Sequence, residues 1–312
     1  MAISQDTRQQ MLSSLYRLDS ICSFIKAEDA AVAAGGGGCG TGAGGFKPGN
    51  TCARGGAGIE EVDLHPALKK LKPDPKAIKR MEDHLPTVFG LHKVHNPIDR
   101  SVPNEELRKR VNAGLKELFE QSQVRIRIDR DDLIPLLESG RFKNQFETHT
   151  SNGALNIQHR RSTEKERLGV GTRVVPANRP IYGYLADAEA GPKLDTITVR
   201  HYGGVVVDLK PSVKDRATIT LNDSLDEFTV ATPLKNPDCV SMSVHSFQLP
   251  PAYVKHTTKV EPYIEVQMHG GVPVTDIQKV HLPHTEASDI QANLIEHLDR
   301  YGIPWEIFDE WK

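Results

Sequence analysis

Two segments of this chain carry apolar residues at the three-to-four-residue spacing of an amphipathic helix. The first covers residues 7–33. The second covers residues 104–123, where Asn104 has the side chain of a typical helix N-cap. Its apolar face is formed by Leu107, Val111, Leu115 and Leu118. The sequence therefore predicts one helix near the start of the chain and a second one that opens its ordered part.

From residue 124 onward, apolar and polar residues alternate with the period of two that is typical of a β-strand. The first predicted strand is "VRIRI", residues 124–128, with its three apolar side chains inward and Arg125 and Arg127 outward. A short helix is predicted over residues 131–139, ending at Gly140. The other predicted strands cover residues 180–186, 196–200, 204–209, 217–221, 227–231, 242–248, 262–269 and 303–308, with one more helix over residues 286–301.

This order of elements predicts the fold class. Strands outnumber helices after residue 124, which favours the α+β class. No predicted strand leads through a G-x-G-x-x-G turn into a helix, so a Rossmann dinucleotide site is not expected. The predicted architecture is a mixed β core with flanking helices.

The segment between the first two helices has the composition of a flexible linker. Twelve of the 24 residues from 35 to 58 are glycine, and such a tract loses too much backbone entropy on ordering to fold by itself. Prolines and charges then continue without a clear period to residue 103. We therefore expect an amphipathic helix over residues 1–34, a disordered Gly/Pro-rich linker over 35–103 and a folded domain over 104–312. The first helix is expected to dock on a partner.

Charge and cysteine content exclude several classes of function. Lys and Arg total 39 against 41 Asp and Glu, and the resulting net charge of −2 argues against a protein that coats nucleic acid. The four cysteines make neither a disulfide framework nor a zinc pattern, so no metal site is predicted. No apolar run is long enough for a membrane span and no secretory signal begins the chain, so a cytoplasmic protein is expected.

Polar residues are concentrated in a turn-rich stretch over residues 140–153. Gln145 and Glu147 would share one face if the chain were extended there, and Asn152 lies in a Ser-Asn-Gly turn. These side chains either contact a ligand or belong to an ordinary surface loop.

Two tyrosines fall on one face of the strand predicted at 180–186. Tyr182 and Tyr184 would point to the same side of the sheet. They either line an aromatic slot for a ligand or are half-buried in the core with their hydroxyls in water. Composition alone leaves both interpretations open.

The strand predicted at 262–269 has one polar and one apolar face. The polar face carries Tyr263, Glu265, Gln267 and His269, and the apolar face carries Ile264, Val266 and Met268. A wholly polar sheet face meets either water or a cleft, and spacing does not distinguish the two. In the second case, Glu265 would be a catalytic carboxylate on the floor of a cleft.

Five short motifs in the second half of the chain carry a family resemblance. They are G-R-F-x-x-Q-F-E-T at 140–148, T-S-N-G at 150–153, R-P-x-Y-G at 179–183, D-S-L at 223–225 and I-E-x-Q-x-H-G-x-V at 264–272. In this order, they resemble a bacterial and phage domain-of-unknown-function family that is grouped with the ADP-ribosyltransferase fold. The resemblance covers residues 122–310 and implies an ADP-ribosyltransferase-like domain.

The resemblance also implies an NAD cleft and a role for each matching residue. Arg125 or Arg127 on the first strand would contact the phosphates or ribose of NAD, and Tyr182 would stack on nicotinamide. Glu265 would be catalytic, because a fixed carboxylate stabilises the oxocarbenium-like transition state that forms when nicotinamide leaves. Gln267 is grouped with Glu265 as catalytic.

Four further matching side chains would help to bind NAD: Gln145, Glu147, Asn152 and Arg179. One position departs from transferases that modify arginine, which carry a second Glu two residues before the catalytic one. Tyr263 occupies that position in this chain. Arginine is therefore not the expected acceptor.

The function implied by the resemblance is that of an NAD-dependent mono-ADP-ribosyltransferase, phage-encoded and acting on a protein acceptor in the host cytoplasm or the virion. Residues 1–34 would then dock on a phage or host protein. One alternative is a non-catalytic phage structural or head-associated protein that uses the same fold as a scaffold and has no affinity for NAD. Another is an enzyme that handles a modified nucleic acid end, which salt-sensitive nucleic acid binding would reveal.

Overall fold

A computed structural model describes residues 65–72, 74–76, 104–150, 156–195, 197–221, 223–225, 231–238, 263–284 and 288–309. The helix predicted over 7–33 and the strand predicted over 242–248 lie outside these residues. So does the strand predicted over 227–231, except for Ala231. Within the described part of the chain, no helix is long and apolar enough to cross a membrane.

The described elements form an α+β fold with one large mixed sheet. The helices are α1 (Pro66–Lys69), α2 (Asn104–Gln121), α3 (Arg130–Ser139), α4 (Gln145–Thr148), α5 (Ile157–Arg167), α6 (Ile197–Arg200) and α7 (Ser288–Arg300). The strands are β1 (Ser122–Ile128), β2 (Ile181–Asp187), β3 (Val205–Leu209), β4 (Ala217–Leu221), β5 (Thr232–Pro233), β6 (Ile264–Met268), β7 (Ile277–Pro283) and β8 (Trp305–Phe308). The eight strands lie in the order β5-β4-β6-β2-β1-β3-β7-β8, with only β7 and β8 parallel. The predicted class is confirmed.

Hydrogen bonds stabilise the C-terminal ends of two predicted helices. Helix α3 ends at Gly140, which has a φ of 75° and donates its N–H to Leu137 O. This left-handed C-cap is the role expected of glycine at that position. At the end of α2, Lys214 Nζ donates to the carbonyls of Phe119 and Glu120 at 2.8 and 2.9 Å. A distant lysine therefore satisfies two carbonyls that the helix leaves without partners.

Most predicted strands are observed, but the strand predicted over 196–200 is wrong. Those β-branched residues form helix α6 instead. Asp195, just before α6, pairs with two buried arginines, and Val199 is buried in a small cluster with Tyr184. These tertiary contacts override the strand propensity of the segment. Strand β7 was not predicted.

The outward orientation predicted for Arg125 and Arg127 is also wrong, since only 2% and 5% of their surfaces are exposed. Residues 190–195 and 197–203 cover that face of β1. They supply acceptors to Arg125 from Asp195 and Ala190 O, and to Arg127 from Asp195 and Gly203 O. The predicted alternation places the arginines on one face, but that face meets protein and not water.

The pairing of the central strands places polar residues in rows across the sheet. Strand β6 lies between β4 and β2. Glu265 is directly opposite Tyr184 on β2 and Thr220 on β4. Residues directly opposite each other in antiparallel strands project to the same face. The polar face of β6 is thus continued by a tyrosine on one side and a threonine on the other.

Candidate functional site

A cleft of about 410 Å³ opens where strands β1, β2 and β6 meet helices α3 and α5. Its volume lies in the range of small-molecule sites. The polar side chains that line it and matter for chemistry are Arg160, Tyr182, Tyr184, Tyr202, Asp223, Tyr263 and Glu265. An arginine, two carboxylates and four tyrosines therefore meet in one cleft.

Glu265 presents one carboxylate oxygen to this cleft. Its Oε1 accepts hydrogen bonds from Gln267 Nε2 at 2.9 Å and from the backbone N–H of Ser224 at 3.4 Å. No described residue donates to Oε2. Burial, and then the nearby carboxylate of Asp223, raise the pKa of Glu265 to about 7, although Arg160 and the two hydrogen bonds lower it. Near neutral pH this carboxyl group can therefore exchange a proton.

Ser224 joins the glutamate to an arginine. This serine is fully buried, and its Oγ accepts a 3.0 Å hydrogen bond from Arg160 Nη1 while its N–H faces Glu265. Its carbonyl accepts from Arg167 Nη1 at 2.8 Å. One buried residue thus holds the cation and the carboxylate of the cleft at a fixed separation.

The guanidinium of Arg160 is only partly used by the protein. It lies over the ring of Tyr182, 4.6 Å from the ring centre. Its Nε has no hydrogen-bond partner among the described residues. Burial lowers the pKa of Arg160, but Tyr182, Glu265 and Asp223 together raise it above its ordinary value, so the group stays charged. Arg160 is a fixed cation whose Nη2 makes no hydrogen bond to a described residue, so one donor is left for a ligand.

Tyr182 is itself held from behind by an ion pair. Its hydroxyl donates to Glu164 Oε1 at 2.8 Å, and Oε2 of that glutamate pairs with Arg179. The guanidinium of Arg179 lies 4.4 Å from the centre of the Phe146 ring. Glu164 and Arg179 are buried and support the cleft from beneath.

Two of the predicted NAD-binding residues line the cleft together with Tyr182 and Glu265. They are Arg127 and Gln145, and the Oε1 of Gln145 is buried without a partner among the described residues. The donors of Arg127, however, are occupied by Asp195, Tyr184 and the carbonyls of Gly203 and Pro192. Arg127 therefore forms part of the cleft wall, and its donors are already bonded to acceptors of the protein.

Four of the other predicted residues do not line the cleft. Arg125 is paired with Asp195 and Asp208, and Arg179 is paired with Glu164. Glu147 was expected to share an extended face with Gln145. It lies instead on helix α4 and pairs with Arg141. Gln267 is buried behind Glu265, and Asn152 lies outside the described residues.

Sequence reasoning missed helix α5, which supplies Arg160 and Glu164. The helix was hidden because the face it buries is polar: Thr163, Glu164 and Arg167. An apolar period is therefore absent. The available signal was its N-cap, since the side chain of Asn156 accepts from the N–H of His159 at 2.9 Å.

Comparisons with known proteins point to one family. Residues 127–246 match the family described as "Protein of unknown function (DUF3626)". The chain is 28% identical to the Gene 2 protein of Mycobacterium phage L5 over 75% of this chain and 99% of that protein. It is 30% identical to the Gene 2 protein of Mycobacterium phage D29 over 67% of this chain and 81% of that protein.

A solved structure is also similar at low level. It is that of Thermosipho africanus DarTG in complex with ADP-ribose, with a TM-score of 0.35 and 12% identity. The alignment covers 60% of this chain and 50% of that chain.

Proposed function

The chain belongs to the DUF3626 family and has relatives in two mycobacteriophages, and on that premise we propose that it is an NAD-dependent mono-ADP-ribosyltransferase-like enzyme. NAD would lie in the cleft as a substrate, and ADP-ribose would pass to a protein acceptor. The observation that carries the proposal is the pair formed by Glu265 and Arg160, joined through buried Ser224. The carboxylate would contact the ribose of NAD, and the cation would contact its diphosphate.

Glu265 supplies the group that the bond cleavage needs. Loss of nicotinamide leaves positive charge on the ribose, as in glycoside cleavage. Oxygen Oε2 of Glu265 would accept a hydrogen bond from a ribose hydroxyl and stabilise that charge. Because Oε1 is already held by Gln267 and Ser224, the carboxylate does not reorient during the reaction. A preorganised group of this kind is worth roughly 10²–10³ in rate.

Arg160 is the better candidate for the diphosphate than the two arginines of β1. The guanidiniums of Arg125 and Arg127 are committed to buried Asp195. That of Arg160 lines the cleft, is fixed by its contact with Tyr182, and has an Nη2 that makes no hydrogen bond to a described residue. The planar fork of arginine suits the oxyanions of a diphosphate.

Tyrosines would supply the surface for nicotinamide. The guanidinium of Arg160 already lies over one face of the Tyr182 ring, so this ring would stabilise the cation. Tyr184 and Tyr263 flank Glu265 in the cleft and are nearer to where the scissile bond would lie. Their flat rings can contact a leaving pyridine.

The test is nicotinamide release from NAD by the full chain, alone and with host lysate that is probed for attached ADP-ribose. Glu265→Gln should lower release at least about a hundredfold. Glu296→Gln, at an exposed ion pair with Arg300 that does not line the cleft, should leave it unchanged. Absence of both release and NAD binding would contradict the proposal and favour a non-catalytic phage scaffold.

A second pair of variants tests the diphosphate contact. Arg160→Lys should raise KM for NAD about 10–100-fold, because a charge-assisted pair of hydrogen bonds becomes a point contact. Arg161→Lys changes the next residue of α5, which does not line the cleft, and should leave KM unchanged. Equal values of KM for the two variants would contradict the assignment of Arg160.

A further inference from the structure

A second carboxylate, Asp223, lines the same cleft as Glu265. It lies just beyond strand β4, in the turn that contains Ser224 and Leu225. Its Oδ1 accepts from the N–H of Leu225 at 2.8 Å, which fixes the carboxylate against its own backbone. No described residue donates to Oδ2. One oxygen of Asp223 is therefore held and the other is open.

The turn that carries Asp223 is locked onto the site. Its next residue, Ser224, contacts Glu265 through its N–H, Arg160 through its Oγ and Arg167 through its carbonyl. Three contacts from one buried residue leave little freedom to the adjacent carboxylate. The backbone that carries Asp223 is thus fixed relative to Glu265 and Arg160.

Two carboxylates in one cleft can have different chemical roles. Like charges in a shared site do not ionise equally, and in glycoside cleavage such pairs separate into a group that faces the sugar and a group that handles a proton. Glu265 faces the ribose in the proposed reaction, which leaves Asp223 for the proton.

We propose that Asp223 is the general base of the cleft and that the acceptor is a neutral hydroxyl group. This inference rests on the proposed function. The ribosyl–nicotinamide bond breaks with its electron pair going to nicotinamide, and an oxygen lone pair of the acceptor forms the new bond to ribose. The proton of that hydroxyl passes to Oδ2 of Asp223.

The acceptor class follows from the charges around Asp223. An anionic acceptor needs no base and would be repelled by two carboxylates. A hydroxyl has a proton to lose and carries no charge, so it gains most from a positioned base. Water is the simplest such acceptor, and release of free ADP-ribose would be the background reaction.

The test uses the full chain with NAD and compares Asp223→Asn with the wild type. An asparagine keeps the acceptor of the turn but does not take a proton, so nicotinamide release should fall about 10²–10⁴-fold. Azide is a nucleophile that needs no deprotonation. Added azide should restore release by Asp223→Asn and yield ADP-ribosyl azide, detected by mass spectrometry, while Glu265→Gln stays inactive. Asp215→Asn, at an exposed ion pair, is the matched control.

The outcomes separate this inference from the proposed function. Wild-type turnover with an unaffected Asp223→Asn variant would overturn the base assignment alone. Loss of activity that azide does not restore would also overturn it, since that is the result of a structural defect. A wild-type chain that releases no nicotinamide would overturn both proposals.

Discussion

Gln267 donates a hydrogen bond of 2.9 Å from its Nε2 to Oε1 of Glu265, two residues away on strand β6. The same Nε2 donates to Thr220 Oγ1 at 2.9 Å, and Oε1 of Gln267 accepts from Thr218 Oγ1 at 2.9 Å. Because that hydroxyl gives its proton to Gln267, it accepts from His269 Nε2, 2.8 Å away. Four polar side chains therefore form one directed chain that ends on the carboxylate.

His269, the first residue of this hydrogen-bond chain, stays neutral. Burial, with a smaller effect of Arg216, lowers the pKa of His269 to about 3. No part of Gln267 is exposed, so this residue, predicted as catalytic, does not reach the cleft. Its place indicates a positioning residue for Glu265.

Replacement of Gln267 should change the pH dependence of activity. Gln267→Leu removes a donor to the ionised form of Glu265, so the pKa of that carboxyl should rise further and the activity profile should move to higher pH. kcat should fall while KM for NAD changes little, because no contact to NAD is lost. Steady-state rates from pH 5.5 to 9 measure both. Gln123→Leu is a matched control, because it loses a hydrogen bond from the side-chain amide to Leu209 O. A pH profile of Gln267→Leu that coincides with that of the wild type would refute the positioning role of Gln267.

Ionisation of Glu265 should cost stability as pH rises. Its pKa is 4.5 in the unfolded reference and about 7 in the fold, so between these values the folded state retains a proton that the unfolded state has lost. The stability present below pH 4.5 is therefore lost as pH rises through 7, by about 3 kcal/mol in total. Glu265→Gln, which has no such proton, should be more stable than wild type at pH 8 but not at pH 5. Urea unfolding at both values measures the difference, and equal differences would contradict the prediction.

Asp195 holds two buried cations together. It pairs with Arg125 at 2.9 Å and with Arg127 at 3.1 Å, and all three side chains are almost fully buried. Asp195→Asn should destabilise the fold by about 3–5 kcal/mol, because both guanidiniums would lose a buried counter-charge. Asp215→Asn makes the same change at an exposed pair and should cost less than about 1 kcal/mol. Similar midpoints of urea unfolding for the two variants would contradict this account.

Gly183 of the R-P-x-Y-G motif is required by close strand packing. A Cβ on Gly183 would lie 2.4 Å from the carbonyl oxygen of Arg125 on the neighbouring strand. Gly183→Ala should therefore destabilise the fold by about 1–3 kcal/mol. Gly191→Ala places its methyl group in open space, with nothing within 4 Å, and should be near neutral. Thermal unfolding measures the transition temperatures of the two variants. Equal transition temperatures would refute the packing argument.

Local sequence determined most of the elements. The alternation of side chains along the sequence predicted strands β1, β2, β4 and β6, because such alternation is a property of an extended backbone. Gly140 marked the end of α3, since glycine readily adopts the left-handed cap. The pairing of Tyr182 with Tyr184 and of Glu265 with Gln267 on one face followed from the same alternation.

Only the tertiary structure decided what each face meets. The polar face of β6 is buried because Thr218 and Thr220 on β4 satisfy Gln267, and Ser224 satisfies Glu265. Arg125 and Arg127 are inside because Asp195 arrives from about 70 residues away with opposite charge. Helix α5 buries a charged face against Arg179 and Tyr182. Because that face is not apolar, the spacing of apolar residues does not predict the helix. Spacing along the chain states which side chains share a side, whereas hydrogen bonds and charges from distant segments determine whether that side meets water, protein or a cleft.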